Sequence, residues 1–162
     1  MQSKHSQTYK QFSEPMKYKK TEAKEFARQN MRGIWAAALT PFTPSLKLDE
    51  TGFRQNIRHW IDELEIDGLF IAGKQGEFFS MSISERKQCM KIAVEEVNNK
   101  PNSRNAGTIL SCSDQNMDVV IELARYAQNL GADYIVVHAP ILHFTTNQDE
   151  LLFNYYKHIS EN

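Results

Sequence analysis

Residues 68–86 read Gly68-Leu69-Phe70-Ile71-Ala72-Gly73-Lys74-Gln75-Gly76-Glu77-Phe78-Phe79-Ser80-Met81-Ser82-Ile83-Ser84-Glu85-Arg86. The unbroken apolar run at its start suits a strand buried on both faces of a parallel sheet, where no polar residue need alternate. A turn with two glycines follows, and Ser82-Ile83-Ser84-Glu85 has the form of a capping box that opens a helix. That helix turns Cys89, Met90, Ile92, Ala93 and Val97 inward. The stretch is therefore one strand, loop and helix unit.

The same unit recurs on both sides. Gly33–Leu39, Gly68–Ala72, Ala106–Leu110 and Tyr134–Val137 are the expected strands. Asp49 caps an expected helix over Glu50–Leu64, with Phe53, Ile57, Trp60, Ile61 and Leu64 on one stripe. Met117–Leu130 forms the next, closed by Gly131, and a last helix holds Leu151, Leu152, Tyr155, Tyr156 and Ile159. Spacings of 35, 38 and 28 residues between the strand starts are those of units in a (β/α)8 barrel of ~250 residues. A flavodoxin-like open sheet has the same alternation, so the repeat by itself leaves both architectures open.

Composition narrows the function classes. Of 162 residues, 41% are hydrophobic and 24% charged, with 19 Lys+Arg against 20 Asp+Glu. A formal net charge of −1 gives no electrostatic footprint for nucleic acid, and no run approaches the ~18 apolar residues of a membrane span. Cys89 and Cys112 lack disulfide-framework or zinc spacing and fit reduced thiols in the cytoplasm. Residues 1–30 read as a polar tail whose first half is disordered, becoming a short helix at Thr21–Gln29 with Thr21 as cap and Phe26 inward. Residues 31–162 form the βα region, and the basic run Lys17–Lys20 reads as solvated surface.

Chemistry in either architecture belongs where strands end. The residues there are Thr40-Pro41-Phe42, Gly73–Ser82, Ser111-Cys112-Ser113-Asp114-Gln115 and His138–Phe144. Gly68–Lys74 matches the skeleton of a phosphate-binding loop, but Gln75 replaces the magnesium-holding Ser or Thr and the intervening residues are strand. That match is set aside.

Thr40-Pro41-Phe42, Asp67-Gly68-Leu69, Gly73-x-x-Gly76-Glu77-Phe78, Met81-Ser82-x-x-Glu85-Arg86, Ala106-Gly107-Thr108 and Gly131-Ala132-Asp133 occur in that order. In this the sequence resembles the N-terminal half of the dihydrodipicolinate synthase and N-acetylneuraminate lyase family over about residues 31–160. The resemblance implies the first four units of a (β/α)8 barrel and a class I aldolase-type lyase or synthase. Such enzymes use a lysine Schiff base to a 2-oxo acid, usually pyruvate, as electron sink, and need no metal or further cofactor. It also implies a homo-oligomer when complete.

Three departures qualify the carry-over. The two residues inside Gly-x-x-Gly-Glu, commonly hydroxylic in the family, are Lys74 and Gln75; amides of Gln75 and Gly76 could still hold a carboxylate, with the Lys74 ammonium beside them. Leu142 stands where the family has a proton-shuttling tyrosine, leaving His138 and His143 as candidate general acid or base. The Schiff-base lysine of the family's sixth strand has no counterpart among these residues, so this chain is expected to be a fragment that is inactive alone.

The expected mouth thus comprises Thr40, Lys74, Gln75, Gly76 and Glu77 for substrate, with His138 and His143 for proton transfer. Lys74, expected half-buried at a strand end, is read as holding a carboxylate or pairing with Glu77 in preference to acting as a surrogate Schiff-base nucleophile; Asp114 is read as capping the third helix of the repeat, and Cys112 as a core or rim thiol. Phe78, Phe79, Phe144 and Trp35 either pack or close over a ligand. A metal held by His138 and His143 with Asp114 or Glu77 is the less favoured chemistry. A separate reading is a non-catalytic half-barrel that binds a carboxylate or completes its sheet with a partner chain, since its outer strands would be open edges.

Overall fold

The computed structural model describes residues 17–99, 106–140 and 146–162. His143, Phe144, Leu142 and the first half of the amino-terminal tail lie outside the described residues. In chain order the elements are α1 (Ala23–Asn30), β1 (Trp35–Ala37), α2 (Glu50–Arg58), β2 (Gly68–Ile71), α3 (Ile83–Asn98), β3 (Gly107–Ser111), α4 (Met117–Leu130), β4 (Tyr134–Val136) and α5 (Gln148–Glu161). A π-helical turn, His59–Glu63, carries α2 on almost to the expected Leu64.

The strands form one parallel sheet in the order β1-β2-β3-β4. This order decides between the two architectures, because a flavodoxin-like sheet reverses direction at its first strand and places it inside the sheet. Here each unit adds its strand beside the previous one, and α2, α3, α4 and α5 pack in succession on the outside. Such a progression is that of a (β/α)8 barrel. In register, Trp35 lies opposite Gly68 and Gly68 opposite Gly107. Leu69, Ile71, Thr108 and Leu110 face the helices and are buried, whereas Phe70 and Ile109, on the other face, are half-buried. The expectation of strands covered on both faces therefore holds only for the helix side. Among the described residues, the barrel-interior face is partly open and β1 and β4 have no further strand beside them.

Local chemistry explains most boundaries. The Asp49 carboxylate accepts the Gly52 N–H at the start of α2, and Ser82 with Glu85 makes the reciprocal capping box of α3. Gly131, at φ +78, closes α4 in the left-handed conformation that glycine adopts without strain. β1 is shorter than expected, because Gly33 turns to φ +80 and the Ile34 N–H goes to the Asp67 carboxylate instead of a strand neighbour. Asp114 is not the α4 cap; Asn116 accepts the Asp118 N–H there.

The amino-terminal segment also departs from expectation. Thr21 does not cap α1: it lies inside a 3-10 turn, Lys20–Glu22, because the Glu22 carboxylate reaches back to the Lys19 N–H. From Lys17 onward the segment is docked. Lys17 pairs with Asp133 at 2.6 Å, the Tyr18 hydroxyl donates to the Asp133 carbonyl and Lys20 donates to the Ser160 carbonyl. Phe26 stacks on Tyr18 and tilts against Tyr134.

A charged seam joins α2 to α3. Glu96, 5% exposed, accepts from Arg54 Nη1 and from Arg58 Nε and Nη2 at 2.7–3.0 Å. Hydrogen bonds from Arg58, then from Arg54, hold its pKa below the ordinary glutamate value against the opposing effect of burial. A depressed folded pKa gives stability that is complete above the unfolded value of about 4.3 and lost as pH falls through the lower folded value. Glu96→Gln is expected to cost about 1–2 kcal/mol at pH 7 and progressively less below pH ~4. Urea unfolding at both pH values checks this; a cost independent of pH would show that charge is not its source.

Candidate functional site

The loop after β2 is built on unusual backbone. Ala72, at φ +51, and Glu77, at φ +58, are non-glycine residues in the left-handed region, a conformation that persists only where the surroundings impose it. Between them Gly73 and Gly76 are buried while Lys74 and Gln75 are exposed. A Cβ on Gly76 would stand 3.0 Å from the Ala38 carbonyl oxygen and 3.2 Å from Thr40 Oγ1, so the loop backbone lies against the end of β1. The Thr40 hydroxyl donates to the Gly76 carbonyl at 2.9 Å. Thr40 thus ties the loop down with the hydroxyl that the sequence offers to substrate.

The loop closes on itself through the Glu77 N–H to the Lys74 carbonyl, 3.1 Å, and the Phe78 N–H to the Gly73 carbonyl, 3.4 Å. Among the described residues, no acceptor takes the N–H of Gln75 or Gly76. Lys74 is exposed, not half-buried, and no ion pair joins it to Glu77 there. Phe79 is 70% exposed.

Behind the loop, the ends of β3 and β4 form a polar cluster. Arg86, 2% exposed, donates from Nη2 to the carbonyls of Ser111 and Ser113 and from Nη1 to the Asp114 carboxylate. Burial pulls its pKa below the usual guanidinium value while Asp114 opposes the shift. Its guanidinium also lies 5.1 Å from the centre of the Phe78 ring. Asp114 is thereby occupied by Arg86 and by the Asn116 N–H. Ser113 Oγ lies 2.9 Å from both the backbone nitrogen and Nδ1 of His138. The His138 ring sits between Phe70 and Phe78, with centroids 6.5 and 6.4 Å away.

The mouth residues consequently fall into two groups: the Thr40-anchored loop of Lys74, Gln75, Gly76 and Glu77, and the His138 cluster, linked through Phe78. Trp35 belongs to neither. Its indole covers Gly68 and Gly107 at the amino ends of the strands, with its edge toward Tyr134, which removes it from any ligand at the carboxyl ends. Cys112 is fully buried, and burial pushes its thiol up to about 12, so it is an inert core thiol. Among the described residues, no group of three or more His, Cys, Asp or Glu is placed to hold a metal ion, and no helix is long and apolar enough to cross a membrane. A cleft of about 460 Å³ between the Lys17–Ala23 region, α4 and α5 shares no residue with either group.

Sequence reasoning assigned no role to Arg86, Ser111 or Ser113. Each was visible within a strand-end or helix-start motif, but their convergence depends on the register of β3 against β4 and on the tilt of α3.

Comparison with known proteins agrees with this geometry. The model of the dihydrodipicolinate synthetase family matches residues 30–162. The chain belongs to that family. Its relatives include an N-acetylneuraminate lyase of Actinobacillus pleuropneumoniae serotype 5b, 34% identical over 112 residues, or 69% of this chain and 37% of the relative. Another, from Clostridium perfringens, is 33% identical over 131 residues, covering 81% and 42%. Among solved structures, CdNal from Clostridium difficile in complex with mannosamine aligns with a TM-score of 0.72 at 33% identity, over 81% of this chain and 43% of that one. YagE, a family member from E. coli K12 in complex with pyruvate, aligns at 0.70 and 29%, over 80% and 41%. The chain therefore spans less than half the length of these dihydrodipicolinate synthetase family relatives, and its sheet is the corresponding part of their barrel.

Proposed function

We propose that this chain supplies the carboxylate-binding part of the mouth of a Schiff-base-dependent aldolase or lyase acting on a 2-oxo acid such as pyruvate, forming or cleaving a C–C bond. The observation that carries the reading is the strained β2 loop, in which the Gln75 and Gly76 amides have no acceptor among the described residues. Adjacent amides in a rigid turn make a concave site for an anion. Lys74, on the same turn, adds positive charge, and Glu77 shapes the turn through its left-handed backbone. The family member crystallised with pyruvate supports the substrate class.

On this reading the lysine that forms the imine lies outside the chain, and its protonated imine withdraws electrons from the bond being made or broken. His138 and His143 assist proton transfer in place of the tyrosine that Leu142 replaces. The complete enzyme would be a cytoplasmic homo-oligomer needing no further cofactor.

Titrating pyruvate into the 15N-labelled chain should shift the amide signals of Gln75 and Gly76. Lys74→Ala should weaken binding about 2–5-fold, the size of an exposed charge interaction of ~0.5–1 kcal/mol. Borohydride added with pyruvate should leave Lys74 unmodified. Absence of shifts at Gln75 and Gly76 would overturn the proposal, and an adduct on Lys74 would replace its carboxylate-holding role with a nucleophilic one.

A second reading has its own observation. The open edges of β1 and β4 and the half-buried inner face suit a non-catalytic half-barrel that completes its sheet with a partner chain. Light scattering after size exclusion tests it: a well-behaved monomer with its sheet intact speaks against any need for a partner.

A further inference from the structure

The hydrogen bonds around Ser113 Oγ can be counted. It receives the His138 backbone N–H at 2.9 Å and the Ser111 hydroxyl at 3.4 Å. Those two donors take both lone pairs of a serine oxygen. What remains is its single proton, with two acceptors in reach: His138 Nδ1 at 2.9 Å and the Val136 carbonyl at 3.4 Å. The carbonyl keeps a second lone pair beside the Cys112 N–H that it accepts at 2.9 Å, but it is the farther of the two acceptors, and the shorter contact is the stronger hydrogen bond. The proton therefore goes to Nδ1.

We infer that Ser113 is a positioning residue that holds His138 as the neutral tautomer with its proton on Nε2, so that His138 serves the mouth as a hydrogen-bond donor. The inference deepens the proposed function and rests on it for the role at the mouth. The opposite tautomer, or an imidazolium, would direct Nδ1–H at an oxygen whose lone pairs are filled. It could be accommodated only if Ser111 turned away. Phe70 and Phe78 lie near the ring, and Arg86 is committed to Asp114 and to the Ser111 and Ser113 carbonyls. Those last two bonds also fix the backbone that carries both serines. Among the described residues nothing accepts from Nε2. With the proton on Nε2, His138 polarises a carbonyl or carboxylate oxygen and does not abstract a proton through that nitrogen. Of the acid and base roles proposed for His138, this tautomer selects that of donor.

Long-range 15N–1H spectra of the imidazole nitrogens report the tautomer directly, with His138 assigned by the signal lost in His138→Gln. For the 162-residue chain near neutral pH, the Nδ1 and Nε2 shifts should be widely separated, with Nδ1 the unprotonated nitrogen. In Ser113→Ala the separation should contract toward that of free, exchanging imidazole, and Ser113→Thr should restore it. Ser111→Ala frees one lone pair on Ser113 Oγ and should contract the separation partially, which keeps the test available if Ser113→Ala does not fold. A wild-type spectrum with the proton on Nδ1 would overturn the inference, as would folded Ser113→Ala and Ser111→Ala variants with unchanged shifts. None of these spectra involves pyruvate. Failure here therefore leaves the loop reading standing, and failure of pyruvate to move Gln75 and Gly76 leaves the tautomer result standing.

Discussion

Arg86→Met is expected to destabilise the chain by about 2–4 kcal/mol, chiefly the cost of leaving buried carbonyls without their donor, with the partly exposed Asp114 carboxylate adding less. Methionine keeps the volume of the aliphatic stem, so the loss isolates charge and hydrogen bonding from cavity formation. Three acceptors would lose a donor at once: the carbonyls of Ser111 and Ser113, and the Asp114 carboxylate, which keeps the Asn116 N–H. The two carbonyls belong to buried residues, where an unmet polar group costs about 1–3 kcal/mol. Urea unfolding followed by circular dichroism gives the difference. A loss below ~1 kcal/mol would mean that water satisfies the end of β3 and that Arg86 is not its organiser. The chemical consequence is separate: with the Ser113 backbone released, the imidazole signals of His138 should also broaden.

Gly68→Ala should cost about 1–3 kcal/mol through overpacking. An added Cβ would lie 2.2 Å from Trp35 Cε3 and 2.4 Å from Cδ2, distances at which the ring has to move. It is not free to do so, because its Nε1–H donates to the Arg32 carbonyl at 3.0 Å and Tyr134 stands at its edge. A smaller residue at position 35 should relieve the collision. In a Trp35→Leu background the cost of Gly68→Ala is expected to fall to a fraction of its wild-type value, a coupling read from a double-mutant cycle. Equal costs in both backgrounds would place the strain in the backbone of β2 instead.

These two variants act at opposite ends of the strands, and the ends were unequally legible in the sequence. Repeating apolar runs, the Ser82 capping box, the Asp49 cap and Gly131 marked most of the helices and strands, because each signal is local: a cap needs only residues three positions away. The family motif was legible for the same reason, since Gly73-x-x-Gly76-Glu77 is a contiguous run whose turn closes on itself, although its anchor, Thr40, lies 36 positions away. The β1 boundaries were not, because Asp67 takes the Ile34 N–H from 33 positions further along the chain. Nor was the first turn of α1, where Glu22 outcompetes Thr21 for control of the helix start.

At the mouth, position after the strands and the family resemblance marked the loop residues and His138 as candidates, but not how several residues there are used. Thr40 reads as a substrate hydroxyl until the structure gives its proton to the Gly76 carbonyl. Asp114 reads as a helix cap until Arg86 claims it. Trp35, open in the sequence to packing or to covering a ligand, packs against Gly68 and Gly107 at the amino ends of the strands.

By itself the sequence determined the βα unit, its repetition and the family, all of which are written in short-range patterns of apolar residues, caps and glycines. Only the tertiary structure decided the choice between open sheet and barrel, through the β1-β2-β3-β4 order, and the polar cluster of Arg86, Ser111, Ser113 and His138. Both depend on which strand lies beside which and in what register. Hydrogen bonds that join residues 25 or more positions apart follow from that pairing and leave no periodic trace in the chain.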